Sequence, residues 1–241
     1  MTERDGRRRA VVERIAPQVD GGRFAVKRVV GDALTVEADA FADGHDELVV
    51  SLLARRPGSE EWDEALMEPL GNDRWAGALQ LDEVGRWAYA IEARVDHFRT
   101  WRRDLAARVG AGEDVTVELR VGEELAREAA TRAGGDDARA LGALAAALGQ
   151  GGAGALAVAL DGAELPRLME RYPDRALATR SPELPLVVDR ERARFGTWYE
   201  LFPRSLGERG RHGTFRDLEA RLRELAEMGV DVLYLPPIHP I

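Results

Sequence analysis

Apolar and polar residues alternate along the first half of the chain, as they do in half-buried β-strands. Over residues 33–40, Leu34, Val36 and Ala38 share one face, and the residues between them are polar. Residues 87–95 alternate in the same way, and similar patterns predict three further strands, over residues 47–54, 75–81 and 115–121. Short strands separated by turns are typical of an immunoglobulin-like β-sandwich, which we expect over residues 11–121.

A helical period replaces the alternation in the middle of the chain. Residues 98–109 break the strand pattern, and from about residue 123 to residue 180 apolar residues recur at helical spacing. Three leucines show this spacing: Leu141, Leu144 and Leu148. Strand character returns at residues 184–189. We therefore expect a helical insertion over residues 122–183, within a sandwich that residues 184–193 complete.

The residue pattern at the end of the chain predicts a strand, a helix and a second strand. Residues 195–202 and 230–235 are short apolar runs that close at prolines, as in strands buried on both faces. Between them, Thr214 is placed to cap a helix that ends near Gly229. Such a crossover builds a parallel sheet, so we expect residues 194–241 to be the first β-α-β unit of a truncated (β/α)8 barrel.

Composition narrows the class of protein. The 241 residues are 45% hydrophobic and 32% charged, with a net charge of −9, which does not favour binding to nucleic acid or to an anionic membrane. Cysteine is absent, and no apolar run is long enough to span a bilayer or to serve as a secretory signal. The four histidines lack metal-ligand spacing. We expect a cytoplasmic protein without metal or cofactor.

Three polar residues lie where the two barrel strands end, and parallel barrels build their active sites at that end. Glu200, Arg204 and His239 are therefore candidate substrate-binding residues, although a structural Glu200–Arg204 salt bridge and a packed or solvated His239 are the simpler interpretations. Trp198 and Tyr199 are interpreted as core residues rather than as a sugar-stacking face. The same interpretation is preferred for four tryptophans that could otherwise indicate carbohydrate binding: Trp62, Trp75, Trp87 and Trp101.

Three segments near the end of the chain carry a family resemblance. They read Arg-Phe-Gly-Thr-Trp-Tyr-Glu-Leu-Phe-Pro-Arg-Ser at 194–205, Gly-Thr-Phe at 213–215, and Met-Gly-Val-Asp-Val-Leu-Tyr-Leu-Pro-Pro-Ile-His-Pro-Ile at 228–241. Shorter matches lie upstream, at 22–28, 101–105, 171–175 and 184–189. On these segments the chain resembles the N-terminal portion of the bacterial α-1,4-glucan:maltose-1-phosphate maltosyltransferases, which belong to the α-amylase superfamily.

The resemblance implies a retaining glycosyltransferase that moves maltosyl units from α-maltose 1-phosphate to α-1,4-glucans through a covalent intermediate. In this superfamily the nucleophilic aspartate follows the fourth barrel strand and the acid/base glutamate follows the fifth. The sequence stops after the second strand, so no residue here receives a catalytic role, and we expect the chain alone to be inactive. The resemblance also implies a homodimer formed through the sandwich and the helical insertion.

Two other interpretations remain at this stage. The chain could be a stand-alone sandwich module for dimerisation or glucan binding, which predicts that residues 194–241 are dispensable for folding. It could also be a fragment of a branching enzyme or a glucan hydrolase, since these enzymes carry an N-terminal sandwich too. The helical insertion and the Pro-Pro-Ile-His-Pro-Ile ending at 236–241 argue against that last interpretation.

Overall fold

Ten strands form two facing β-sheets in the computed structural model, which describes residues 6–208 and 210–238. These strands are β1 Val11–Ala16, β2 Val26–Val29, β3 Ala33–Phe41, β4 Leu48–Arg55, β5 Asp63–Leu66, β6 Glu68–Gly71, β7 Arg74–Gln80, β8 Gly85–Val95, β9 Thr179–Arg180 and β10 Leu184–Asp189. One sheet has the order β1-β3-β7-β6, and the other has the order β2-β10-β8-β4-β5, with β9 also paired to β8. Strands β2 and β10 are parallel, and the other pairs are antiparallel.

Side chains of both sheets fill one hydrophobic core. Leu34, Val36 and Ala38 of β3 are fully buried, which confirms the alternating pattern of that segment. The opposite sheet contributes further buried residues to the same core, among them Leu52, Tyr89, Ile91 and Leu186. Burial of these two inner faces against each other is what holds a sandwich together. The predicted strands over residues 33–40, 47–54, 75–81, 87–95 and 184–189 are confirmed, and the domain is of the sandwich type.

The predicted strand over residues 115–121 is wrong, because this segment is helical. It lies within Thr116–Arg132, whose start is fixed by the Asp114 carboxylate, which accepts hydrogen bonds from the amide and hydroxyl of Thr116. The apolar residues that alternate along this segment do not share one buried face. Val117 and Val121 are 71% and 47% exposed, whereas Leu119 packs inward. The buried positions follow the helical period instead.

The helices between β8 and β9 enclose a second hydrophobic core. They are α1 His97–Gly110, α2 Thr116–Arg132, α3 Gly135–Gln150, α4 Gly152–Leu156 and α5 Glu164–Arg171. Phe98, Trp101 and Leu105 of α1 belong to this core together with residues of the later helices, so the helical layer begins at His97, before residue 122. Within residues 6–208 and 210–238, none of the helices combines the length and apolar composition needed to cross a bilayer.

A short parallel pair of strands follows the sandwich. Strand β11, Trp198–Glu200, pairs with β12, Val232–Tyr234, and helix α6, Phe215–Glu227, connects them. Thr214 and Asp217 form a capping box at the start of α6, as the sequence predicts. The strand–helix–strand order and the parallel pairing are therefore confirmed, while membership of an eight-stranded barrel stays a prediction.

Candidate functional site

The carboxyl ends of β11 and β12 bring the predicted site together only in part. Glu200 lies opposite Tyr234 in the strand register, and Arg204 lies in the turn Pro203–Leu206 that follows. Both candidate side chains are exposed, and no ion pair joins Glu200 to Arg204 in the described part of the chain. The predicted His239 lies outside the described residues. Two of the three candidates thus lie at one strand end with their charged groups open to solvent.

In the loop after β11, two glycines lie so close to other backbone atoms that a side chain could not fit at either position. A Cβ on Gly207 would lie 2.0 Å from the Arg211 carbonyl oxygen, and one on Gly213 would lie 2.2 Å from the Pro203 carbonyl oxygen. The Gly213 amide also donates to the Arg204 carbonyl oxygen at 2.9 Å. Because larger residues cannot fit there, the glycines fix the backbone that carries Arg204.

Asp217 anchors the same loop to helix α6. Hydrogen bonds from the Thr214 amide and hydroxyl, and then from Arg211, lower the pKa of Asp217 to about 2. A carboxylate in the first turn also interacts favourably with the positive end of the helix dipole. At neutral pH the Asp217 carboxyl is therefore ionised, and it ties the Arg211 end of the loop to the first turn of α6.

The aromatic residues of β11 are not buried within the described residues. Trp198 is 66% exposed and Tyr199 is 40% exposed, contrary to the expectation that both are core residues. Trp198 also lines a cleft of about 420 Å³ at the opposite, amino end of the strands, together with Phe195, Arg192 and Asp231. Both aromatic side chains of β11 are thus left partly uncovered by the described residues, although Leu218 and Leu225 of α6 are buried.

The other tryptophans are mostly structural. Trp87 and Trp101 are buried, and the indole N–H of the partly buried Trp75 donates to the Ala40 carbonyl oxygen at 3.0 Å. The ring of Trp62 is contacted by the guanidinium groups of Arg55 and Arg180, at 4.9 and 4.0 Å from its centroid. The interpretation of Trp87 and Trp101 as core residues is confirmed.

Sequence reasoning missed a partly buried polar cluster on the outer face of the second sheet. Arg175 donates to Glu92 at 2.8 Å and to Glu64 at 2.5 Å, and the fully buried Ser51 donates to Glu64 at 2.6 Å. Burial alone would raise the pKa of Glu64, but the hydrogen bonds from Ser51 and Arg175 outweigh it and lower that pKa. The cluster fastens the segment after α5 to the sheet. Up to 111 positions separate its partners, so no local pattern indicates it.

Arg94 of β8 lies on the same outer face of the second sheet as Glu92. Its side chain is buried, and its Nη1 atom has no hydrogen-bond partner among the described residues. Burial, and then the nearby Arg175, lower the pKa of Arg94. No group of three or more histidine, cysteine or carboxylate side chains within residues 6–208 and 210–238 could hold a metal ion.

Comparison with known proteins identifies the family. Residues 8–190, which contain both the sandwich and the helical layer, match the family model described as alpha-1,4-glucan:maltose-1-phosphate maltosyltransferase, domain N/S. This chain belongs to that maltosyltransferase family.

Individual maltosyltransferases extend the match beyond residue 190. The chain is 46% identical to the enzyme of Chlorobaculum tepidum over 239 residues, which cover 98% of this chain and 36% of that protein. It is 47% identical to the Myxococcus xanthus enzyme over 252 aligned residues, covering 100% of this chain and 37% of the relative. The chain is 41% identical to maltosyltransferase 1 of Streptomyces coelicolor over 234 residues, which cover 94% of this chain and 34% of that protein.

The family resemblance noted in the sequence is thereby confirmed. The chain spans about a third of the length of the maltosyltransferases it matches. The family model ends at residue 190, just before the segment that leads into β11. The matched region of the maltosyltransferase family therefore coincides with the two hydrophobic cores.

Proposed function

We propose that this chain is the amino-terminal part of a retaining maltosyltransferase, which transfers maltosyl units from α-maltose 1-phosphate to α-1,4-glucans. The observation that carries the proposal is the match of almost the whole chain to relatives that bear this name. Retention of configuration requires a nucleophile and an acid/base residue beside the reacting carbon. In this proposal both come from the part of the protein that follows residue 241.

We propose three structural units. The strand orders β1-β3-β7-β6 and β2-β10-β8-β4-β5 support an immunoglobulin-like sandwich, because they match the A-B-E-D and A′-G-F-C-C′ sheets of that fold. The helical layer is then an insertion before the last sandwich strand. Its core begins in α1, so we place the boundary near residue 97 rather than at residue 122, and the third unit begins at residue 194.

We propose that the third unit starts a (β/α)8 barrel. Its large exposed aromatic residues support this, since Phe195 is 79% exposed and Tyr234 is 50% exposed, and further barrel strands would cover them. In this arrangement Glu200 and Arg204 lie at the rim of the substrate pocket. Residues 1–241 alone then transfer no maltosyl unit, because two strands cannot enclose that pocket.

We also propose a homodimer formed through the sandwich and the helical layer. Val117 and Val121 support this, because they lie one turn apart on the exposed side of α2. Light scattering should then report a dimer that dissociates when both valines are replaced by lysine. A monomeric wild-type protein would contradict this part of the proposal.

The transfer itself can be tested with a fusion protein. Residues 1–241 are joined to the remaining two thirds of the Chlorobaculum tepidum relative, and phosphate release from α-maltose 1-phosphate is measured with glycogen present. We expect release by the fusion protein and none by residues 1–241 alone. A folded fusion protein that releases no phosphate, beside an active C. tepidum enzyme, would contradict the proposal.

A further inference from the structure

Two small adjoining clefts lie where the sandwich meets the helical layer. They share four lining residues, Arg94, Val95, His97 and Asp174, and their volumes are about 50 and 40 Å³. A cavity of about 10–15 Å³ is enough for one water molecule, whereas sites for organic ligands measure about 300–1,000 Å³. The clefts therefore have room for a few water molecules or a small ion, but not for a sugar or a nucleotide.

Arg94 brings a positive charge to both clefts without a matching partner. The residue is only 6% exposed, and its Nη1 atom is enclosed by protein with no hydrogen-bond partner among the described residues. Neither a hydrogen bond nor an ion pair engages its other side-chain nitrogens in the described part of the chain. Buried charges are ordinarily paired, because their loss of hydration is costly. The environment of Arg94 thus calls for an anion.

The carboxylates around Arg94 are bonded to other groups. Glu64 and Glu92 both accept hydrogen bonds from Arg175, at 2.5 and 2.8 Å. Asp96 accepts from a backbone amide in the first turn of α1. These three carboxylates therefore attract Arg94 only through space, while the nearby Arg175 repels it. The protein supplies no direct counter-ion for Arg94 within residues 6–208 and 210–238.

Other positive groups line the same clefts. Helix α1 begins at His97, and the positive end of a helix dipole favours an anion. Arg9 lines one cleft and Arg132 lines the other. Both arginines have bonds elsewhere, Arg9 to two aspartates and Arg132 to a backbone carbonyl oxygen, so they add positive potential and leave Arg94 as the main ligand.

We propose that a chloride ion binds in these clefts against the guanidinium of Arg94. A halide is close to a water molecule in size and accepts hydrogen bonds from several N–H donors at once. A dianion such as phosphate is larger, and it would also meet the carboxylates of Asp96 and Asp174 on the cleft walls. The chloride would join the end of β8 to the start of α1 and to the segment after α5, and would stabilise the junction between the sandwich and the helical layer.

The first test is urea denaturation of the 241-residue chain in sodium chloride and in sodium gluconate at equal ionic strength. Gluconate is too large for the clefts, so the comparison removes general screening of charges. The ratio of folded to unfolded protein should rise with chloride as 1 + [Cl⁻]/Kd, which is about elevenfold at ten times Kd. Equal stability in the two salts would overturn the proposal.

Arg94→Met should abolish the difference between chloride and gluconate. In gluconate this variant should be at least as stable as the wild type, because it removes a buried, unpaired charge. The matched control is Arg86→Met, since Arg86 lies in the same strand, is exposed and lines neither cleft. It should keep the full chloride effect. A chloride effect that persists in Arg94→Met would contradict the assigned site.

A measurement on the wild type covers the case in which Arg94→Met does not fold. Crystals soaked in sodium bromide should show an anomalous scattering peak in contact with an Arg94 nitrogen, and bromide at surface positions only would overturn the proposal. Phosphate strengthens apolar burial in any protein, so its stabilising effect should not depend on Arg94. Stabilisation by phosphate that requires Arg94, without an effect of chloride, would show a dianion site instead.

Discussion

The contact between Gly122 and Trp101 provides a stringent test of how the helical layer packs. Gly122 is buried in α2, and a Cβ added to it would lie 2.1, 2.6 and 2.7 Å from three atoms of the indole ring. Ordinary carbon contacts are about 3.5–4.0 Å, so the ring would have to move by more than about 1 Å in Gly122→Ala. The ring is also held by its N–H, which donates to the Glu118 carbonyl oxygen at 2.7 Å.

Three contributions decide the size of the effect. Overpacking costs about 1–3 kcal/mol, and loss of the indole hydrogen bond costs about 0.5–1.5 kcal/mol. Alanine is favoured over glycine within a helix by about 1 kcal/mol, which offsets part of this. We therefore expect Gly122→Ala to lower the free energy of unfolding by about 2 kcal/mol, which corresponds to a fall of about 4–8 °C in Tm.

The matched control is the same substitution where space is free. Gly142 lies in α3, is exposed, and has nothing within 4 Å of an added Cβ. Gly142→Ala should raise the free energy of unfolding by up to about 1 kcal/mol. Both variants are compared with the wild type by urea denaturation, followed by circular dichroism and tryptophan fluorescence. If Gly122→Ala is as stable as Gly142→Ala, the described packing of α1 against α2 is refuted.

Three further predictions concern polar groups. Arg175→Gln should lower the free energy of unfolding by about 1–2 kcal/mol at pH 7, a value discounted for partial exposure. Because the pKa of Glu64 is lowered from 4.5, its stabilising contribution is present above that value and is lost as the pH falls through the folded-state pKa. Urea titrations of variant and wild type should therefore converge at acid pH, below the folded-state pKa of Glu64. NMR titration of Asp217 should give a pKa about 2, and a value near the ordinary 3.8 would contradict the capping geometry. Tyr89→Phe should cost about 1 kcal/mol by leaving the Pro17 carbonyl oxygen without its donor. Burial raises the pKa of Tyr89 to about 12, so ultraviolet absorbance should show this phenol still protonated at pH 10.

Local periodicity was enough to predict much of the fold. The alternation at residues 33–40 and the capping residues Thr214 and Asp217 correspond directly to β3 and α6, because each depends only on near neighbours. The strand predicted over residues 115–121 is wrong for a physical reason. Its apolar residues alternate, but Val117 and Val121 face outward from a helix whose position is set by packing against Trp101.

The candidate site was less predictable than the fold. The sequence places Glu200 and Arg204 at a strand end, but a pocket is made by neighbouring strands, and only β12 lies beside β11 in the described residues. The cluster of Glu64, Glu92 and Arg175 joins β5, β8 and the segment after α5. Contacts between such distant segments leave no periodic signal, so they become visible only in the folded chain.

Maltosyl transfer by the protein to which this chain belongs is the activity that we propose. The most direct measurement is the mass distribution of glucan products formed by the fusion protein from maltoheptaose and α-maltose 1-phosphate. We predict products that grow in steps of two glucose units, with one phosphate released at each step. Growth in steps of one glucose unit, or phosphate release without growth of the glucan, would contradict the claim.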